Sequence, residues 1–200
     1  MVSSPLRRAV LTAKIALENH PNKANQEWKI IPWIRETMKS NCDIAISTHK
    51  LKEQYPDLDI EDIYKDDQFW CLQYYKPLDA ETTTHEDAIK ATKHRNAILA
   101  ALEEKKDIQV VLDYMAKINP ERIEAPYQAH LRVLEAKKAL GEYIRGLEAE
   151  GKEVKDLELL VVAHSNFLRY FTCESIDEKG DPVGYTYFQN AEINEFDFEY

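Results

Sequence analysis

The apolar positions of this chain follow two rhythms, and both meet at one place. Residues 159–163 read Leu-Leu-Val-Val-Ala, a run too short for a membrane span and β-branched enough for a buried strand. The run ends on His164. Ser165 and Asn166 follow, and both are helix-start residues. Phe167, Leu168, Tyr170 and Phe171 then recur at helical spacing. The pattern predicts a strand, a polar corner and a helix. In an open parallel sheet, ligands bind just beyond the carboxyl ends of the strands, where His164 stands. A histidine there serves a ligand or merely ends the strand.

The remaining segments fit the same grammar. Val2-Ser3-Ser4 reads as the end of a strand, with Pro5 at the turn and a small-residue helical face over Ala9, Val10, Ala13, Ala16 and Leu17. Arg7 and Arg8 fall in the first turn of that helix, where the helix dipole disfavours cations. They are either a solvated pair or the mark of an anion nearby. Residues 28–33 predict a short strand stopped by Pro32. Glu36 follows, a general acid or base if its site is partly dry, otherwise a surface charge. Residues 41–78 are irregular, rich in acidic and aromatic side chains, and read as a cover or a binding loop.

Residues 84–118 predict helix, with Thr84 and Asp87 as a start signal, a second piece over 108–115, and Asn119-Pro120 as the stop. A further amphipathic helix covers 129–147 and leads directly into the strand at 158–163, a crossover that makes the sheet at least partly parallel. Gly180-Asp181-Pro182 predicts a turn, and 185–188 and 193–200 predict two closing strands. The fold class is α/β.

Composition narrows the partners. The 200 residues are 44% apolar and 31% charged, enough for one well-buried domain. A net charge of −10 argues against nucleic acid as the partner. Small anions remain open, because a basic pocket can sit inside an acidic protein. The three cysteines, Cys42, Cys71 and Cys173, form no paired motif, so no metal site is expected and a reducing, cytoplasmic compartment is. No stretch suits a membrane helix.

Four segments, in order, resemble the histidine phosphatase superfamily, the phosphoglycerate-mutase-like proteins. SSPLRRAVLTA at 3–13 is similar to that family's Ser-Pro-Leu-x-Arg-Ala-x-x-Thr-Ala motif. PWIRE at 32–36, with NCD at 41–43, resembles its Pro-x-Leu-x-Glu segment. VVAHSNFL at 161–168 resembles the segment of its second catalytic histidine, and FQNAEI at 188–193 its closing Asn-x-Glu. The resemblance implies a single phosphoglycerate-mutase-like domain over 1–200, truncated at the N-terminus, with an insertion or cap at 50–128. The architecture it implies is three-layer α/β/α around a mostly parallel central sheet lacking its first strand. It implies phosphomonoester hydrolysis through a phosphohistidine, with no cofactor. His164 becomes the second, charge-stabilising histidine and Glu36 the proton donor. Arg8 binds phosphate, with Ser4 at the pocket edge and Asn190 at its floor.

The departure lies in the nucleophile. The family carries Arg-His-Gly on its first strand, and none of the six histidines here is followed by glycine. The expectation is therefore a phosphatase-like chain that is inactive alone, a piece of an active enzyme. The alternative is a non-catalytic module that binds phosphate ligands or assembles with a protein partner or with itself. A third reading keeps only the architecture and leaves His164 structural. The expected ligand is phosphate or a small phosphorylated molecule.

Overall fold

The computed structural model describes residues 1–21, 27–39, 41–58, 60, 86–105, 113, 124–155 and 157–199. The aromatic and acidic residues of 61–78 and nearly all of the helical piece expected over 108–115 lie outside the described residues.

A three-stranded parallel sheet holds the molecule together. Strand β1 (Val2–Ser3) lies in its centre, between β2 (Lys29–Ile30) and β3 (Val161–Val162). The ladder reaches one residue further along the chain, because Ser4 N–H donates to Val162 O at 2.9 Å and Ile31 N–H to Ser3 O at 3.1 Å. The parallel pairing predicted from the helix-to-strand crossover is therefore present, and the fold is α/β.

Alternation along the strands splits the core in two, as period-2 geometry requires. Ile30 packs in one cluster with Leu6, Val10, Met38 and Leu51. Its neighbour Ile31 packs in another with Val2, Val133, Leu140 and Phe167. Helix α1 (Arg7–Leu17) contributes Val10 to the first, from a buried face of Ala9, Val10, Ala13 and Leu17; Ala16, expected on the same face, is exposed. The long helix α4 (Pro126–Ala149) covers the second. Pro126 sits in its first turn without cost, and Gln128 Oε1 accepts from the Ala125 N–H at 2.9 Å to close its start.

Among the described residues, two further α-helices lie between α1 and α4. Helix α2 (Thr48–Gln54), capped by Ser47 accepting from Lys50 N–H, falls in a stretch whose prolines and charges predicted irregular chain. Seven residues with one cap give too short a period to read. Helix α3 (Glu86–Lys105) is the predicted helix of 84–118 in its described part. Among the described residues, no helix is long and apolar enough to cross a membrane.

Helix α5 (Ser165–Thr172) follows β3, as the strand–corner–helix pattern predicts. The end of the chain departs from prediction. The described residues of 185–199 form no strand; a two-stranded antiparallel hairpin, β4 (Ser175–Ile176) with β5 (Pro182–Val183), comes before them. Its turn runs over Asp177–Asp181 and includes the expected Gly180 and Asp181, whereas Pro182 opens β5; Asp177 Oδ1 accepts from the Lys179 and Asp181 N–H groups. Gly180 has φ +84°, and a Cβ there would lie 2.5 Å from Tyr127 N, so only glycine fits. Period-2 patterning at 193–199 reports a half-buried surface, and that is met only at Phe198, which stacks on Phe171; Ile193 and Phe196 are exposed, although Phe196 touches Phe188. A strand also needs a ladder with a neighbouring strand, and none is formed by this segment among the described residues.

Candidate functional site

The carboxyl ends of β1 and β3 lie side by side, which places Ser4 next to His164. Both are buried, at 0% and 6% exposure. Ser4 Oγ accepts from Leu6 N–H at 3.2 Å, turning the chain into α1, and lies 2.7 Å from His164 Nε2. Arg8 projects from the first turn of α1. Its Nε–H donates to His164 Nδ1 at 3.3 Å.

That contact sets the tautomer. Nδ1 faces a guanidinium N–H and must accept, so the ring proton sits on Nε2 and is donated to Ser4. The ring is neutral. Burial pushes its pKa down to about 3, helped by the positive charges of Arg8, Arg132 and Arg35. A serine–histidine nucleophile pair is excluded on the same ground, because the lone pair that would take the serine proton is turned toward Arg8.

Arg8 spends its other donors on the loop after the β2 end. One Nη donates to Cys42 O at 2.5 Å and the other to Asp43 Oδ1 at 3.1 Å. Asp43 also accepts from Lys39 N–H at 3.1 Å. The Arg8 side chain nevertheless remains 44% exposed, whereas that of Asp43 is 8% exposed. Sequence reasoning marked NCD at 41–43 as part of a resemblance but gave Asp43 no part in the site. A lone acid in irregular chain, eleven residues past Pro32, carries no periodic signal.

Glu36 is at the same end of the sheet but faces inward. One carboxylate oxygen accepts from Thr37 N–H at 2.8 Å and Phe167 N–H at 3.0 Å; the other accepts from Asn166 N–H at 3.2 Å. It therefore caps the N-terminus of α5 from another segment, where an anion is favoured by the unpaired N–H groups and the helix dipole. Asn166 Nδ2 also donates to Glu36, and its Oδ1 accepts from Lys39 Nζ at 2.8 Å. The residue expected to donate protons thus has its oxygens turned onto backbone donors. Asn190 stands apart: it is exposed in the turn that Gln189 and Glu192 close, and it bonds none of Ser4, Arg8, Glu36 and His164.

Behind Glu36 lies a charged cluster that sequence reasoning missed. Glu124 accepts from Arg132 Nε at 2.7 Å and from Arg35 through both oxygens at 3.1 Å. All three side chains are fully buried. Burial alone would raise the Glu124 pKa; the two guanidiniums overcome it and hold the carboxyl down to about 2. Arg132 also donates to Trp33 O and Arg35 O, which fixes the chain between β2 and Glu36. The only sequence signal for this cluster was an arginine inside an otherwise apolar helix face, at Arg132 beside Val133 and Ala136.

Among the described residues, no group of histidine, cysteine and acidic side chains is arranged to hold a metal. What the site offers is one exposed guanidinium held against a neutral histidine, a serine and a helix N-terminus. Comparison of the chain with protein-family models, with curated proteins and with solved structures finds no match.

Proposed function

We propose that the chain is a histidine-phosphatase-like domain. In this reading Arg8, with Ser4 and His164 behind it, receives the oxyanion of a phosphomonoester, and the chain alone does not hydrolyse it. The observation that carries the reading is the contact of Arg8 Nε with His164 Nδ1. It joins the two segments with the strongest family resemblance across 156 positions, at the carboxyl end of a parallel sheet. Phosphoryl recognition is positioning plus charge, which an exposed arginine over a neutral imidazole supplies. Hydrolysis needs more. The lone pair of His164 is committed to Arg8, and no histidine of the chain stands in an Arg-His-Gly segment. The two core clusters on alternate strand positions support a three-layer arrangement. The scattered cysteines support a cytoplasmic setting.

One observation favours a second reading, an assembly module. The apolar positions 159–163 are only half-buried, and β3 is an outer strand of the sheet. By alternation the N–H and C=O groups of Val161 and Ala163 face away from β1, and among the described residues no strand pairs there, a geometry suited to strand addition.

The test is turnover of p-nitrophenyl phosphate by the 200-residue chain, alone and with an Arg-His-Gly segment fused before Met1. The chain alone is expected to be inactive yet to bind inorganic phosphate, and Arg8→Ala to abolish that binding. Turnover by the short chain would sink the missing-nucleophile account. Unchanged phosphate affinity in Arg8→Ala would remove Arg8 from the site.

A further inference from the structure

On the far side of β2 from the phosphate site, an open groove of about 700 Å³ runs between the 27–33 segment and the second half of α4. Its volume is in the range of small-ligand sites. Its walls are aromatic: Trp28 and Trp33 from the segment that carries β2, Tyr143 from the helix. Trp28 is fixed by its indole N–H, which donates to Ser3 Oγ at 2.8 Å. Gly146 lies on the helical wall, and a Cβ built there meets nothing within 4 Å, so the space above it is free.

Charge gives the groove its chemistry. Four carboxylates line it, Glu27, Asp57, Glu142 and Glu150, against one lysine, Lys29. The structure also contains an example of what such a lining holds. Lys152 reaches in from beyond the end of α4, and its ammonium pairs with Glu27 and, at 3.0 Å, with Glu150. An alkyl chain ending in an ammonium between two carboxylates is thus already seated at the rim. Aromatic faces attract cations and cover methylenes equally well. A second copy of this acidic chain would bring carboxylates against carboxylates and is disfavoured.

We propose that the groove binds a linear alkyl polyamine. Its methylene stretches lie on Trp28, Trp33 and Tyr143, and its ammonium groups pair with the rim acids, displacing Lys152. The site is independent of the phosphate pocket, since none of its residues touches Arg8 or His164 among the described contacts.

The test is titration of the whole chain with spermine, read by calorimetry and by tryptophan fluorescence. Two of the chain's three tryptophans line the groove, so binding is expected to change the emission. Gly146→Leu fills the groove without altering charge and favours the helix, so it is expected to fold and to weaken binding about tenfold or more. Lys152→Ala is expected to tighten binding several-fold by freeing two acids. Equal affinity in Gly146→Leu and wild type would overturn the proposal, leaving only diffuse attraction of a cation to an acidic protein. A lysine-rich peptide that binds tighter than spermine, and is equally lost in Gly146→Leu, would overturn it in favour of a protein ligand.

Discussion

The two charged constellations flanking Glu36 are built from the same residue types and are opposite in design. Glu124 between Arg35 and Arg132 is closed: every side chain is buried and the guanidiniums are matched to both carboxylate oxygens and to nearby carbonyls. Arg8 between His164 and Asp43 is open. Its head keeps solvent access and its anionic partner is a single aspartate oxygen. Buried charge of the first kind positions the chain, since its members cannot exchange partners without leaving a charge dry. Charge of the second kind can trade one anion for another at little cost. The contrast fits a structural role for the inner cluster and, on the proposed reading, ligand binding for the outer one, although both are arginine–carboxylate pairs.

The largest effect tests the inner cluster. Glu124→Ala leaves two buried guanidiniums facing each other without a counter-charge. It is expected to cost roughly 3–5 kcal/mol, read as a fall in the urea midpoint at constant slope. Removing the whole cluster together is expected to cost less than Glu124→Ala alone, because the uncompensated charges go with it. A loss below about 1 kcal/mol for Glu124→Ala would place the cluster with surface pairs and dissolve the contrast.

The outer site was more legible in the sequence than the inner one, for a physical reason. Ser4, Arg8 and His164 each sit at an element boundary, and boundaries carry signals: a proline after Ser4, an apolar run that stops at His164, helix-start residues behind it. Segment order and the rule that parallel strands present their carboxyl ends together then suffice to bring them close. Glu124 has no such signal. It lies just before Pro126, in a stretch read as an insertion, and its partners are 89 and 8 positions away. Glu36 shows the intermediate case. Its place just past a strand end was readable from the sequence. Its role as a helix cap depended on which way the side chain turned, and that is set by the N–H groups of Asn166 and Phe167. The strands expected in 185–188 and 193–200 failed where pattern is weakest, since alternation reports burial on one face and is silent about a backbone partner.

Acid separates the two constellations on a middle scale. His164 has a folded pKa near 3 against 6.5 unfolded, so between these values the unfolded chain binds a proton that the folded chain does not. Stability therefore falls as pH drops below about 6.5, by up to roughly 1.4 kcal/mol per pH unit. Glu124, near 2 in the folded chain against 4.5, contributes stability that is complete above 4.5 and lost as pH falls toward 2. The window from 6.5 to 4.5 thus reports the outer site without the inner cluster, and below 4.5 both act until His164 reaches its folded pKa near 3. His130, also lowered by burial and by Lys137, adds in the same direction as His164. Urea midpoints measured at pH 6.5, 5.5 and 4.5 are expected to decline in the wild type. The decline should flatten in His164→Gln more than in His130→Gln. An unchanged slope in His164→Gln would mean that the imidazole is already charged in the folded chain, and that Arg8 does not face its lone pair.

The smallest effect on stability is the most pointed for ligand binding. Asp43 occupies the guanidinium nitrogen that an incoming oxyanion would use, and its charge repels that oxyanion. Asp43→Asn keeps an oxygen for the Lys39 N–H and removes the charge. Stability is expected to change by less than about 1 kcal/mol, as for other half-exposed pairs. Phosphate affinity is expected to rise about five- to tenfold, the effect of removing one like charge from a partly solvated site. Phosphate titration followed through the His164 ring resonances reads both partners of Arg8 at once. A stronger shift at lower phosphate makes Asp43 the stand-in for the ligand, and the open cluster is then a site held closed by its own aspartate. Weaker binding in Asp43→Asn would instead make Asp43 the group that aims Arg8, with the loop at 41–43 as much a part of the phosphate pocket as β1 and β3.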